Sequence, residues 1–434
     1  MKRLIPFVLI IVLLLSLIGG CSPDEQSPLR ICIDIKDLLV IGLNDDIASV
    51  QLNAESSAAE MFSKSITDRE GPEDVEFEFI PASGQERDSV ISRIRTELIS
   101  GKGPDVFIVN CVNDPQADAL FKSPRAIMEL NLFLPLDKYI EKAKYMEWDK
   151  LNPVIMDAGK NENGQQLLPL TYTFPVSMCK KQDVSFKVSN DMNLYDMLDG
   201  GPQPAAFALT NTFYRHAWSD YAFASVADYD NEQLLFTEED LLKWEKAQQE
   251  WSNRSVNGEF DDAPTHYSMS MNVGFDRDGN QQVDELYRSV SDGEEITFVP
   301  MYSTQGGVAA TVLSFAGINR NTKRADDAFR VLDILLSRDM QQYSDIFKIL
   351  TDMRGIPVHQ ELMQEEYPVG GWSMSDSVYQ EFCDVRDMIT VAKFRTEFEN
   401  ELFTLDGECY KEGTDIERAV SKTYTTMQMI LAES

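Results

Sequence analysis

The sequence predicts an α/β fold, and three observations carry that reading. Residues 93–110 run Arg-Ile-Arg-Thr-Glu-Leu-Ile-Ser-Gly-Lys-Gly-Pro-Asp-Val-Phe-Ile-Val-Asn. They are the end of an amphipathic helix, a glycine-bounded turn and a short apolar strand. From residue 29 to that block the pattern alternates strand, helix, strand, helix, strand. A second series of strand and helix candidates occupies residues 205–251 and 296–338. Such alternation is how layers of helix on a largely parallel sheet are written in a chain.

Taken in order, residues 29–34 read as a first strand and residues 56–66 as a helix. Residues 75–80 (Val-Glu-Phe-Glu-Phe-Ile) alternate as a half-exposed strand. In the next helix Val90, Ile91, Ile94 and Leu98 share one face. Gly101 and Gly103 suit its C-terminus, and Pro104 forbids continuation. Residues 106–109 are an uninterrupted apolar run, as a strand covered on both faces requires. The run stops at Asn110-Cys111-Val112-Asn113-Asp114, the carboxyl end at which open α/β sheets bind ligands.

Residues 134–140 follow, then a helix-like stretch at 148–157 and a turn at 161–166. The turn enters residues 167–175, where Pro169 and Pro175 suggest a strand at a sheet edge. Residues 205–209 read as a strand. Thr237-Glu238-Glu239-Asp240 resembles a capping box opening a helix through Trp251. Residues 296–301 and 308–316 are strand candidates on either side of Gly306-Gly307, and 326–338 is a helix. Thr414-Asp415-Ile416-Glu417 is a second capping box. It opens a final helix with Ile416, Ala419, Val420, Tyr424, Met427, Ile430 and Leu431 on one face.

The charge balance narrows the partners. Lys and Arg number 39 against 72 Asp and Glu, a formal charge of −33. That argues against nucleic acid and anionic membrane surfaces. The chain begins Met1-Lys2-Arg3, runs apolar to Leu17 and then reads Ile18-Gly19-Gly20-Cys21. This is a secretory leader over residues 1–20, too short for a spanning helix. The cysteine after small residues resembles a bacterial lipobox, which implies cleavage before Cys21 and a lipid on its thiol. Residues 21–28, polar and proline-bounded, would be a tether.

Five scattered cysteines remain, Cys32, Cys111, Cys179, Cys383 and Cys409, an odd number without a Cys-x-x-Cys. Cys32 and Cys111 sit by apolar strands and read as small hydrophobes, with a bridge between them as the alternative. The three histidines, His216, His266 and His359, lack metal-ligand spacing, and no nucleophile elbow or phosphate loop occurs. In residues 274–285, Asp276, Asp278 and Glu285 fit three positions of a calcium loop. Gly274 occupies the first ligand position, so a simple Asp-Gly turn is the preferred reading. No cofactor and no metal are expected.

Four blocks then coincide: residues 101–110, the Asn163-Gly164 turn before Leu168-Pro169, residues 314–322 (Ser-Phe-Ala-Gly-Ile-Asn-Arg-Asn-Thr), and residues 328–336 leading to Gly355-Ile356-Pro357-Val358. In this order they resemble the extracellular solute-binding proteins of bacterial ABC importers, the class that includes maltose-binding protein. The resemblance covers nearly the whole mature chain. It implies a two-lobed periplasmic-binding-protein-like α/β fold with three interlobe crossings, near residues 169–174, 298–302 and 350–356. Lobe 1 would comprise residues 29–170 and 301–349, lobe 2 residues 171–300 and 350–434.

The resemblance also implies a ligand site. Asn110 matches the cleft edge, with Asn113 and Asp114 beyond it; Lys36 and Asp37 match a polar pair after the first strand. Tyr172 and Thr173 match a contact at the first crossing, and Asn211 and Phe213 a polar–aromatic pair on lobe 2. Trp372, in a Gly-Gly loop, is a further aromatic candidate. The sequence departs from the maltooligosaccharide branch at Val109, where an aromatic is frequent, and at Thr173, where an acid is common.

The implied function is a lipid-anchored, non-enzymatic binding protein on the outer side of the bacterial cell membrane. It would take a small solute, a carbohydrate by class, and deliver it to ABC permease subunits. A tethered sensor without transport is the alternative, and a surface glycan hydrolase a more distant one.

Overall fold

The computed structural model describes residues 27–34, 47–111, 119–209, 221–229, 231–259, 266–270, 295–351, 355–362, 376–411 and 413–433. The amino-terminal third gives β1 (Leu29–Asp34), α1 (Ile47–Thr67), β2 (Val75–Phe79), α2 (Gly84–Ile99) and β3 (Val106–Asn110). β1 lies between β2 and β3, parallel to both. β3 is buried along its whole length, as its unbroken apolar run requires. α2 buries Ile91, Ile94 and Leu98 together with Arg87, while Val90 is only half-buried. Its C-terminus turns through Gly101 and Gly103, both with positive φ (74° and 102°), a conformation that costs glycine little.

Next come α3 (Pro124–Glu129), β4 (Leu167–Thr173) and β5 (Pro175–Lys180). The helix-like stretch at 148–157 is divided. A three-residue turn at Trp148–Lys150 is followed by a short helix, Pro153–Asp157, which Asn152 caps at 3.1 Å from the Val154 N–H. Pro153 cannot donate backward, so the helix must restart there. α4 (Leu194–Asp199) precedes a correction: Pro202–Leu209 is a helix, not the strand expected at 205–209. A five-residue apolar run has no readable period, and its alanines with a proline in the first turn favour the helix.

The remainder holds α5 (Glu238–Val256), β6 (His266–Ser270), β7 (Ile296–Pro300), β8 (Val308–Ile318), α6 (Ala325–Leu335) and β9 (Ile356–Pro357). It ends with α7 (Asp376–Arg386), β10 (Ile389–Phe394), α8 (Glu397–Cys409) and α9 (Ile416–Glu433). Thr237 and Asp240 exchange the two bonds of a capping box as expected. The last helix is capped one residue later than expected: Arg418 N–H donates to Asp415, while the Thr414 hydroxyl turns back to the Glu408 carbonyl.

The large sheet has the order β2-β1-β3-β8-β4-β9, with β10 also on β8; a second sheet has the order β6-β5-β7. Successive strands β4 and β5 therefore belong to different sheets, and so do β7 and β8. β4 is not an edge strand, because the long β8 pairs with one side and the two-residue β9 with part of the other. Pro169 lies past the residues that β9 pairs with, where its missing N–H leaves no bond unmade.

Asp333 of α6, almost fully buried, accepts the backbone N–H groups of Lys144, Tyr145 and Met146 at 2.7–2.9 Å. None of the five described cysteines forms a disulfide, so no bridge joins Cys32 to Cys111. Cys32 sits opposite Phe107, and the four residues from there to Cys111 span roughly 13 Å of strand, beyond disulfide reach. No helix among the described residues is long and apolar enough to cross a membrane.

Candidate functional site

β8 carries the geometry that defines the site. Its residues Thr311 and Val312 pair with β4 on one side and with β10 on the other. β10 therefore shares an edge of β8 with β3. β3 runs antiparallel along that edge from Val106 opposite Ile318 to Asn110 opposite Ser314. β10 runs parallel along it from Ile389 opposite Val308 to Phe394 opposite Val312. Two strands thus end carboxyl end to carboxyl end, with Leu313 in the gap. Leu313 is the one residue of β8 that is not buried, and its carbonyl accepts the Cys111 N–H at 2.6 Å. Strand carboxyl ends are where open α/β sheets hold ligands, and here two of them face each other.

Beneath the gap runs a polar row. Asn110 is 4 % exposed, and its Oδ1 has no hydrogen-bond partner among the described residues. Its cross-strand neighbour Ser314 shares a 2.5 Å hydrogen bond with the Thr171 hydroxyl on β4. Gly355 closes over that threonine so tightly that a Cβ there would come within 2.4 Å of the Thr171 Cβ. Only glycine allows this approach between the segment before β9 and β4.

The other side of the gap is charged and closed. Lys393 of β10 donates to the Phe223 carbonyl at 2.9 Å and pairs with the buried Glu399 of α8 at 3.0 Å. Glu399 also accepts the Thr396 N–H (2.7 Å) and hydroxyl (2.6 Å), the capping box of α8. Burial pushes the Glu399 carboxyl up, but the Lys393 ammonium and the Thr396 bonds outweigh it and hold it below the usual carboxylate range. Beside β3, the carboxyl end of β1 carries a second closed pair. Asp34 accepts both Arg87 Nη atoms, at 2.8 and 2.9 Å, with both side chains buried.

Contacts between the two sides seal this junction. The Ser123 hydroxyl donates to Tyr229 at 2.7 Å, and Lys122 pairs with Glu397 at 2.8 Å. Burial pushes the Tyr229 phenol up to about 12. Phe394, Phe315, Phe121 and Phe107 form a continuous aromatic run behind them, with centroids 5.1–6.3 Å apart.

Of the residues proposed from sequence, Asn110, Tyr172 and Thr173 lie among the described residues. Asn110 borders the gap. Thr173 pairs with Thr311 on β8 and is nearly buried. Tyr172 is buried in the junction, stacked on Phe174 with centroids 6.4 Å apart, and burial pushes its hydroxyl up. Its ring packs against protein and presents no face to solvent. Lys36, Asp37, Asn113, Asp114, Asn211, Phe213, Trp372, the Cys21 thiol and the loop with Asp276, Asp278 and Glu285 lie outside the described residues. Among the described residues no group of three or more His, Cys, Asp or Glu is placed to hold a metal ion.

Sequence reading missed Ser314, Thr171, Asp34–Arg87 and Lys393–Glu399. Two carried a signal: a serine inside an eleven-residue apolar strand, and Thr396-x-x-Glu399 as a capping box. The ion pairs carried none, because their partners are distant in the chain.

No family model matches the chain, and no curated protein matches it in sequence. Solved structures do match it in fold. An extracellular solute-binding protein family 1 member from Alicyclobacillus acidocaldarius superposes with a TM-score of 0.57 at 12% identity, over 94% of this chain and all of that one. The sugar-binding protein MalE from Xanthomonas citri gives 0.53 at 13% identity, over 93% of this chain and 97% of that one. The ABC substrate-binding protein Lmo0181 from Listeria monocytogenes, solved with cycloalternan, gives 0.51 at 11% identity, over 94% of this chain and all of that one. With a large mixed sheet built on β8 and a separate smaller sheet built on β5, this chain has the two-lobed α/β fold of the extracellular solute-binding proteins.

Proposed function

We propose that the chain is a lipid-anchored solute-binding protein that holds a small carbohydrate between two lobes and delivers it to an ABC permease. The lobes are residues 29–170 with 301–349 and residues 171–300 with 350–434, and β8 of the first pairs with β10 of the second. The leader at residues 1–20 and a lipid on Cys21 would fix it to the outer face of the cell membrane. The role is capture, not catalysis.

The observation that carries this reading is the buried, unpartnered Oδ1 of Asn110 where two strand ends meet. Leaving such an acceptor without a donor costs about 1–3 kcal/mol. A ligand hydroxyl would repair that, and sugars offer hydroxyls in quantity. Support for the class comes from fold neighbours whose names include a sugar-binding protein and a complex with cycloalternan. The remaining contacts would come from Thr173, from Lys36 and Asp37, Asn113 and Asp114, Asn211 and Phe213, and from Trp372.

A thermal-shift screen of the mature chain against mono- and oligosaccharides, with amino acids and polyamines as controls, tests the reading. A ligand at 100 times its Kd should stabilise by about 2.7 kcal/mol. A shift from a control class and from no sugar would overturn the carbohydrate assignment. Closure on the ligand should also reduce the radius of gyration in solution scattering. Incorporation of an alkyne-tagged fatty acid, lost in Cys21→Ala, tests the anchor. Capture of the ligand-loaded protein by a permease rather than by a sensor ectodomain tests delivery.

A further inference from the structure

Away from the junction, helices α5 and α8 bury two carboxyl groups against each other. Glu245 is 2 % exposed and Asp406 0 %. Glu245 meets the Asp406 carboxyl and the Cys409 thiol. Its Oε1 has no hydrogen-bond donor among the described residues. Two ionised carboxylates in this position would repel each other with little water to screen them. A proton on Glu245 removes the repulsion and turns their contact into a hydrogen bond. The remaining bonds accept this arrangement: Gln248 Nε2 donates to Asp406 Oδ1 at 3.0 Å, and the Tyr410 hydroxyl donates to Gln248 Oε1 at 3.2 Å. Asp406 is thereby served as the acceptor and Glu245 left as the acid.

The charges on the surrounding elements are engaged elsewhere. Lys246 of α5 pairs with Glu417 of α9 at the surface, at 2.9 Å. Lys422 of α9 reaches Glu408 of α8 at 3.9 Å, also in solvent. On the α4 side of α5, Lys243 lies 3.8 Å over the Tyr195 ring, and Arg254 pairs with Glu259. Among the described residues the groups acting on Glu245 are Asp406 and Cys409. Burial first, then the charge of Asp406 and its bond, push the Glu245 carboxyl well above the carboxylate range. Burial and the same two carboxyls push the Cys409 thiol up, so it stays protonated beside them.

We propose that one proton shared between Glu245 and Asp406 locks α5 to α8, and that this helical part of the protein loosens as its surroundings turn alkaline. The device is independent of the ligand proposed above. A carboxyl with a raised folded-state pKa gives its full contribution below the unfolded value, about 4.3. The contribution is then lost as pH rises toward the folded value. The direction is opposite to that of a salt-bridged carboxylate.

Glu245→Gln keeps the shape and the donor without the titration. Thermal unfolding of the full chain and of this variant should be compared from pH ~5 to ~9. The variant's midpoint should gain on the wild type steadily across the range, and a constant difference would overturn the proposal. If the variant fails to fold, infrared spectroscopy of the wild type decides. A protonated carboxylic acid C=O stretch should persist at neutral pH, and its absence would overturn the proposal. In Asp406→Asn that band should titrate away at lower pH, because the repelling neighbour is gone. An unmoved titration would overturn the sharing.

Discussion

The two sides of the gap at Leu313 differ in how they treat polarity. On the β10 side, Lys393, Glu399 and Thr396 form a closed set in which cation, anion and hydroxyl answer one another. On the β3 side, Asn110 presents an acceptor that nothing among the described residues answers. A closed network fixes the position of the strand and helix that carry it and has nothing to give to a ligand. An open acceptor weakens the folded protein and is useful only when something arrives to meet it. The closed side is therefore architecture, and the open side is the one to which the proposed function gives recognition.

That division is broken most readily at Lys393. Lys393→Ala would leave Glu399 buried without its cation and should cost about 3–5 kcal/mol in urea unfolding; a loss below about 1 kcal/mol would mean the pair contributes no more than an exposed one. Ser314→Ala tests the layer under the open side. It strands the Thr171 hydroxyl beneath Gly355 and should cost about 1–3 kcal/mol by the same measurement.

Asn110→Ala should leave stability unchanged or raise it, by up to about 1–3 kcal/mol, since it removes an acceptor that has no partner. The same substitution should remove most of the thermal shift given by whichever solute the screen identifies. A large loss of stability with binding intact would reverse the roles assigned to the two sides. The smallest effect is confined to acid. Glu399 is held below its unfolded value of about 4.3, so its contribution is present above that pH. It is lost as pH falls further, through the lowered folded value. Lys393→Met, which removes the cation, should flatten the stability–pH curve in that window. A curve of unchanged slope would show that Lys393 does not hold the carboxyl down.

Much of this architecture is legible in the chain. The apolar run of β3 with the glycines before it, the length of β8 and the Thr237 cap all report local chemistry, and local chemistry is what a sequence displays. The failures are equally local. Pro202–Leu209 is too short and too uniformly apolar to show a period, so its strand assignment had no means of excluding a helix. Tyr172 fails for another reason. All seven residues of β4 are buried, so the alternation that separates an outward face from a core face is absent. The site itself depends on β3 and β10, about 280 residues apart, ending on neighbouring positions of one strand. Nothing in either segment announces the other.

β8 also has a mechanical meaning. It is held by β3 over its last five residues, by β10 over its first five, and by β4 along most of its length. Sliding one half of the protein past the other would shear these ladders and break their register all at once. Twisting about Leu313 breaks none of them, because twist is a deformation that strands already accommodate. The strand is in effect a torsion bar: along one edge β10 holds its first half and β3 its second, while β4 runs along the other edge across both. Rotation of its two ends against each other would then be elastic, with β4 and β8 twisting together.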